Sequence, residues 1–132
     1  MFNRLILLLL LCCAVPAYAD IPLAMDSRIK TYVYNPNDVY LIIINAGFQT
    51  SIEFAPDEKI QTLSLGDTYS WSLNQVQNRL FIKPLEDNVR TNMTILTNMR
   101  SYQFDVVSSS SEKNLQDVAY VVRFYYPNTI NN

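Results

Sequence analysis

Apolar residues at every second position are the feature that most constrains this chain. Tyr102, Phe104 and Val106 alternate with Gln103 and Asp105, and successive side chains of a β-strand point to opposite faces. Such alternation is typical of a strand with one face buried and one face in water. No stretch after Asp20 keeps the 3.6-residue periodicity of a helix. The pattern therefore predicts an all-β protein.

Turn residues divide the alternating stretches into short segments. The predicted strands cover residues 28–34, 39–44, 50–54, 60–65, 69–73, 79–84, 91–97, 100–107 and 120–126. A series of eight or nine short strands separated by turns indicates a single β-sandwich or a small barrel, and we favour the sandwich.

Three segments carry more specific expectations. Residues 39–44 are apolar on both faces, which predicts a central strand covered on both sides. Lys83 beside Pro84 is expected to be an edge-strand charge that blocks stray pairing. The turn between residues 91–97 and 100–107 is centred on Asn98, a residue type that tolerates positive φ. Trp71 is expected in the core, packed with Phe81 and Phe104.

The beginning of the chain has the pattern of a secretory signal peptide. Arg4 precedes an unbroken apolar run from Leu5 to Val15, and the small residues Ala17 and Ala19 stand at positions −3 and −1 before Asp20. That run is much shorter than the roughly 20 residues that a membrane-spanning helix needs, so we predict cleavage rather than a span. The predicted organisation is a signal peptide at 1–19 and one β-sandwich domain at 20–132. Lipidation at Cys12 or Cys13 is the alternative.

Composition argues against most catalytic and metal chemistry. The chain has no His, and both of its Cys residues lie in the predicted signal peptide. The remaining domain would offer no imidazole or thiolate, so we predict no enzyme, no metal and no cofactor. Loss of Arg4 would leave 9 of the 10 basic residues against 12 acidic ones, a net charge near −3. No nucleic-acid surface is predicted, because such surfaces cluster Lys and Arg.

Two groups of polar residues are candidates for chemical sites. The carboxylates of Asp57, Glu58 and Asp67 could bind calcium, but their spacing matches no calcium loop, and solvated turns explain them better. The serines at 108–111 could supply a nucleophile, but no base lies near them, and a flexible loop is the simpler interpretation.

The order of short motifs is more informative than any one of them. The series is Asp26-x-Arg28-Ile29, Gly47-x-x-Thr50-x-Ile52-x-Phe54, Glu58-x-Ile60, Gly66-Asp67-x-x-x-Trp71, Asn78-x-Leu80-Phe81-Ile82-Lys83-Pro84, Thr91-Asn92-Met93-Thr94, Thr97-Asn98-x-Arg100-x-Tyr102-x-Phe104 and Tyr120-x-Val122-x-Phe124-x-Tyr126-Pro127. It resembles the N-terminal domain of the TrbG/CagX family, the VirB-type outer-membrane core-complex proteins of bacterial type IV secretion systems. The structural residues that the resemblance marks are Arg28, Gly47, Gly66, Asp67, Trp71, Lys83, Pro84, Asn92, Thr94, Arg100 and Tyr102.

The resemblance implies a structural role in the periplasm. It implies packing into a ring with other type IV secretion subunits, namely full-length family members and an inner-membrane-anchored scaffold protein. Family members usually continue into a second β-domain, which contacts a small lipoprotein. This sequence stops at Asn132, so we expect a truncated paralogue, a fragment or a protein that works only in the inner ring layer. In each case the lipoprotein contact is expected to be lost.

Two other functions remain open from the sequence alone. The first is a free-standing periplasmic β-sandwich that binds a small ligand or glycan, for which Trp71 and Tyr69 would be the first residues to inspect. The second, which we favour least, is a hydrolase that uses paired carboxylates.

Overall fold

The computed structural model describes residues 25–110 and 115–127. Ala17, Ala19 and Asp20, and with them the predicted signal peptide, lie outside the described residues, as does the end of the serine run. The strands in these ranges are β1 (Ile29–Val33), β2 (Val39–Asn45), β3 (Thr50–Glu53), β4 (Ile60–Leu65), β5 (Trp71–Val76), β6 (Arg79–Pro84), β7 (Arg90–Thr97), β8 (Ser101–Ser109) and β9 (Val121–Tyr125). Within the described ranges, no helix has the length and apolar character needed to cross a membrane.

The strands form two mixed sheets. The five-stranded sheet has the order β1-β9-β3-β6-β5, and the four-stranded sheet has the order β2-β8-β7-β4. Three pairs are parallel, β1 with β9, β3 with β9 and β2 with β8, and the others are antiparallel. The prediction of an all-β sandwich is confirmed.

The inner faces of the two sheets supply one apolar core. Ile42, Leu80 and Val106 are fully buried, while their neighbours along each strand point outward. Each such side chain contributes about 1.5–3 kcal/mol through burial. Trp71 is only 5% exposed and belongs to the same core as Phe104. The alternation read from the sequence is therefore what builds the core.

The expectation that residues 39–44 form a central strand is wrong. Among the described strands, β2 pairs only with β8 and lies at the edge of its sheet. Its outer face stays in water, with Val39 66% and Leu41 46% exposed. A strand that is apolar on both faces does not need a cover on both faces. Here the second apolar face is a stripe on the surface.

The expectations for Lys83 and Phe81 are also wrong. β6 lies between β3 and β5, so Lys83 is not on an edge strand. Phe81 alternates with Leu80 and Ile82, which are buried in the core. Phe81 therefore lies on the outer face of the sheet, away from Trp71, which packs inward opposite Pro84.

The β7–β8 hairpin forms as expected, but the reason given for Asn98 does not hold. Positive φ among the described non-glycine residues occurs at Gln77 and Asn88, not at Asn98. The Asn98 side-chain oxygen instead accepts a hydrogen bond from the Lys59 backbone N–H at 2.8 Å, and the Asn98 N–H donates to the Lys59 carbonyl at 3.0 Å. Asn98 thus joins the hairpin to the turn before β4.

Candidate functional site

A buried carboxylate links three distant segments at one end of the sandwich. The Glu58 side chain is fully buried and forms an ion pair with Arg100. The Tyr102 hydroxyl lies 2.8 and 2.9 Å from its two oxygens, and the Thr97 hydroxyl donates at 2.7 Å. The Ala55 N–H also donates, at 3.3 Å. The group made of Glu58, Thr97, Arg100, Tyr102 and Tyr126 is the Glu58 cluster.

Tyr126 brings the last described segment into the cluster. Its hydroxyl lies 2.7 Å from that of Tyr102, and the Arg100 guanidinium carbon lies 3.8 Å from the centre of its ring. Tyr34 packs against the Tyr102 and Tyr126 rings at centroid distances of 5.1 and 5.8 Å. Cation–π and aromatic contacts of this kind stabilise partly buried sites. The cluster therefore fixes the position of the chain just beyond β9.

The electrostatics of the cluster favour fixed charges. Burial would raise the pKa of Glu58, but hydrogen bonds from Thr97 and Tyr102 and the charge of Arg100 outweigh it and lower that pKa below its ordinary value. Burial raises the pKa of Tyr102, and it raises the pKa of Tyr126 to about 12. At neutral pH the carboxylate is therefore charged and both phenols are neutral. Such an arrangement holds structure and is not poised for proton transfer.

A second group of marked residues lies around the turn after β4. A Cβ on Gly66 would lie 2.7 Å from the Asn92 side-chain oxygen and 3.0 Å from the Thr91 hydroxyl, so any larger residue would have to displace these side chains. The Asp67 N–H donates to the Thr91 hydroxyl at 2.8 Å, and its carboxylate accepts from the Tyr69 N–H at 2.9 Å. Gly66, Asp67 and Asn92 therefore connect the β4–β5 turn to β7.

The remaining marked residues are spread over the sandwich. Thr94 donates to the Gln103 side-chain oxygen across β7 and β8 at 2.7 Å. Arg28 pairs with Asp26 at 2.6 Å and lies 4.7 Å from the centre of the Tyr120 ring. Gly47 has a φ of 83° in the β2–β3 turn, a conformation that favours glycine. The structure thus brings Arg100 and Tyr102 together in the Glu58 cluster, and Gly66, Asp67 and Asn92 together at the β4–β5 turn. It leaves Arg28, Gly47 and Thr94 in separate places.

The two candidate chemical sites from the sequence do not assemble. Glu58 faces Arg100 inside the sandwich, and Asp67 lies at the opposite end of β4, about 20 Å away. Among residues 25–110 and 115–127, no three His, Cys, Asp or Glu side chains come close enough to hold a metal ion. Ser108 is buried, and its hydroxyl donates to the Glu86 carbonyl at 2.9 Å.

The Trp71–Tyr69 platform of the alternative function is absent from the described residues. Trp71 is buried in the core, whereas Tyr69 is 89% exposed and precedes β5. The two side chains therefore cannot line one pocket, and a ligand site would have to lie elsewhere.

Sequence reasoning missed Glu58 as the centre of a cluster. It stands in a turn beside Asp57 and Lys59, where a carboxylate is usually solvated. The only available signal was that Glu58-x-Ile60 and Arg100-x-Tyr102 both belong to the motif series. Spacing along the chain could not show that these motifs meet, because 42 residues separate Glu58 from Arg100.

Comparisons with known proteins relate the chain to one family. A family model described as a conjugal transfer protein, CagX, matches residues 27–132. The type IV secretion system protein virB9 of Bartonella quintana is 30% identical over 139 residues, with 96% of this chain and 48% of the relative covered. The virB9 protein of Brucella abortus is 33% identical, with 77% and 40% covered. Protein PtlF of Bordetella pertussis, also from a type IV secretion system, is 31% identical, with 80% and 46% covered.

The chain spans about half the length of the curated relatives that it matches. These relatives are named as secretion-system proteins and not as enzymes, which agrees with the prediction that the chain is not an enzyme. The motif series read from the sequence and the family model point to the same family, and the resemblance is confirmed.

Proposed function

The chain belongs to the CagX family of conjugal transfer proteins, and we propose that it is a structural subunit of a type IV secretion system in the cell envelope. In this proposal it packs in a periplasmic ring beside full-length family members and an inner-membrane scaffold protein. The observation that carries the proposal is the family match over residues 27–132. The names of its relatives support the secretion system as the setting.

An apolar stripe on β2 is the first surface suited to such packing. Val39 and Leu41 are exposed and Ile43 is half-buried, and these three residues form the β2 stripe. Interfaces commonly bury apolar side chains at their centre and keep a polar rim. On the neighbouring strand β8, Gln103 lies beside Val39 and Asp105 beside Leu41, and these polar residues would supply such a rim.

The backbone edge of β2 is already partly occupied. The Tyr32 hydroxyl donates to the Leu41 carbonyl at 2.7 Å, and the Ala119 N–H donates to the Ile43 carbonyl at 2.9 Å. A partner strand added at this edge would have to displace both bonds. The chain would therefore meet its neighbour through the outer face of the sheet rather than by strand pairing.

A second apolar surface lies on the outer face of the other sheet. Val33 and Tyr125 are each 60% exposed and stand side by side across β1 and β9, with Ile29 further along β1. Two different apolar faces on one molecule suit head-to-tail contacts, which form a ring when the rotation between successive copies closes. Each face is small, so the isolated protein should be mostly monomeric and should assemble only where several copies act together.

A matched pair of substitutions tests this proposal. Leu41→Asp places a charge in the β2 stripe, and Ser64→Asp places the same charge on exposed Ser64 at the opposite edge of the same sheet. Tagged proteins would be crosslinked in cells that carry the secretion apparatus, and the captured proteins identified by mass spectrometry. We expect the unaltered protein and Ser64→Asp to capture apparatus subunits, and Leu41→Asp to capture at least several-fold less.

Capture of no apparatus subunit by the unaltered protein would contradict the structural role. Equal capture by both variants would leave the role intact and remove the β2 stripe as the docking face. The folded state of each variant would be verified by its thermal midpoint, since both changes lie at exposed positions.

A further inference from the structure

A shallow cleft crosses the outer face of the five-stranded sheet. It consists of two adjoining hollows of about 340 and 470 Å³ that share Gln49. Phe48 and Tyr120 line one hollow, and Phe81, Asn74 and Lys83 line the other. With Ser51, these side chains define the outer cleft. None of its residues belongs to the Glu58 cluster or to the β2 stripe.

Ser51 is the feature that points to a ligand. It is only 8% exposed although it lies on the outer face of the sheet, level with Phe81 and Val121. Its hydroxyl oxygen is buried and has no hydrogen-bond partner among the residues that the structure describes. A buried hydroxyl without a partner is unfavourable and rare in folded proteins. A turn of the Ser51 side chain toward the cleft, which Ser51 lines, would bring the hydroxyl to a polar group of a bound molecule.

Side-chain contacts order the wall of the cleft in the absence of a ligand. The Phe48 and Tyr120 rings are stacked, with centroids 5.9 Å apart and planes 12° from parallel. Arg28 lies against the Tyr120 ring and donates to its hydroxyl at 3.3 Å, and Asp26 holds Arg28 through two further hydrogen bonds of its side chain. A preorganised wall lowers the ordering cost of binding.

The polar groups of the cleft select for a ligand rich in hydroxyl and amide groups. Gln49, Ser72 and Asn74 are uncharged side chains that can each donate and accept hydrogen bonds. Within the described part of the chain, no carboxylate lines either hollow, and Lys83 adds one positive charge. The backbone of β6 below is paired on both sides, with β3 and with β5. A peptide therefore could not pair its main chain with this strand, and recognition must come from side chains.

We propose that the outer cleft binds an acidic oligosaccharide that carries N-acetyl groups. Sugar rings present apolar C–H faces that pack on aromatic rings, here Phe48 and Phe81. Their hydroxyl and acetamido groups match Gln49, Asn74 and the buried Ser51 hydroxyl, and a carboxylate matches Lys83. The site is distinct from the β2 stripe that the docking test addresses, so the two proposals stand or fall separately. It adjoins the second apolar surface, because Val121 of its lining stands beside Ile29.

The test is a titration of the purified, isotope-labelled protein followed by the chemical shifts of its backbone amides. The probe is a tetrasaccharide of alternating N-acetylglucosamine and N-acetylmuramic acid, which combines acetamido groups with carboxylates. We expect shifts that cluster at Gln49, Ser51, Asn74 and Phe81, with a Kd of about 1 mM or tighter. The neutral tetrasaccharide of N-acetylglucosamine should bind about 5–10-fold more weakly, because it has no carboxylate for Lys83.

Matched variants separate the cleft from the remaining surface. Lys83→Gln should reduce the affinity for the acidic probe to that for the neutral one, and Asn74→Ala should weaken binding of both probes several-fold. Lys59→Gln removes an exposed lysine outside the cleft and should change nothing. The proposal is overturned if neither sugar causes shifts, if the shifts lie outside the cleft, or if both cleft variants bind normally. Shifts caused at the same residues by an acidic peptide, with none from the sugars, would also overturn it.

Discussion

Glu58 and Ser51 are both buried polar residues, 2% and 8% exposed, and their surroundings differ completely. The Glu58 carboxylate receives hydrogen bonds from Thr97, Tyr102, Arg100 and the Ala55 backbone. The Ser51 hydroxyl has no partner within residues 25–110 and 115–127. A buried polar group with every partner in place stabilises one arrangement of the chain. A buried polar group with none marks a place where the fold alone does not complete the contacts.

Position in the sandwich explains the difference. Glu58 lies where the turn before β4, the β7–β8 hairpin and the segment after β9 converge. Donors from the turn and the hairpin reach its carboxylate, and Tyr126 is joined to it through the Tyr102 hydroxyl. Ser51 lies on an outer sheet face, where its neighbours across the strands are the apolar side chains Phe81 and Val121. The Glu58 cluster therefore stabilises the fold, whereas Ser51 is a candidate for binding a ligand.

Removing the Glu58 carboxylate should have the largest effect of the changes considered. Glu58→Ala leaves Arg100 and Tyr102 without their buried partner, and loss of one member of such a pair costs about 3–5 kcal/mol. Chemical denaturation of the purified protein measures this change. The matched control is Glu53→Ala, because Glu53 pairs with the exposed residues Arg79 and Arg123. The control should lose only about 0.2–1 kcal/mol per exposed pair. Equal losses of unfolding free energy in the two variants would contradict the claim that Glu58 is a buried, stabilising partner.

Acidification should weaken the same cluster by a smaller amount, because a protonated Glu58 keeps part of its hydrogen bonding. The pKa of Glu58 in the folded state lies below its ordinary value of 4.5. Its contribution to the free energy of unfolding is therefore fully present above pH 4.5 and is lost as the pH falls through the lowered pKa. The free energy of unfolding, measured by denaturation at each pH in this range, should fall less steeply with decreasing pH for Glu58→Gln than for the unaltered protein. Identical slopes would show that Glu58 is not a charged partner of Arg100.

The Tyr126 hydroxyl should contribute one hydrogen bond. Tyr126→Phe removes the 2.7 Å contact with the Tyr102 hydroxyl and should cost about 1 kcal/mol. Tyr125→Phe is the control, since Tyr125 is 60% exposed on the outer face of β9 and should change stability by less than about 0.5 kcal/mol. Thermal or chemical melts of the pair would measure the difference, and a larger effect at Tyr125 would contradict the position given to Tyr126.

Ser51→Ala should have the smallest effect on stability, close to zero or slightly stabilising, because no hydrogen bond to a described residue is lost. Ser108→Ala is its counterpart. Ser108 is also buried and donates to the Glu86 carbonyl at 2.9 Å, so its loss should cost about 1 kcal/mol. Both variants replace a buried serine by alanine, so their unfolding curves compare a bonded hydroxyl directly with an unbonded one. A clear loss at Ser51 would mean that its hydroxyl already has a structural partner.

The strands and the core could be predicted from the sequence because both depend on local alternation. Tyr102, Phe104 and Val106 lie inside as the period of two requires. The positions of the strands at the sheet edges could not be predicted in this way. β2 pairs in parallel with β8, with five strands between them along the chain, and nothing in the apolar run of β2 specifies that partner.

The polar features were less accessible to sequence reasoning for the same reason. Arg100 and Tyr102 could be marked as structural through their motif, but their common partner is 42 to 44 residues away. The outer cleft depends on how the β2–β3 turn places Phe48 beside Tyr120, a contact between the early and late parts of the chain. Long-range contacts of this kind follow from the topology and not from any local pattern.

The central claim, that this chain is a subunit of a secretion apparatus that docks through the face of β2, is tested most directly by site-specific photocrosslinking. A photoreactive amino acid at Leu41 would be compared with one at Ser64, in cells with and without the apparatus. We predict crosslinks from Leu41 to apparatus subunits only when the apparatus is present, and none from Ser64. Crosslinks of equal strength from both positions, or none from either with the apparatus present, would contradict the claim.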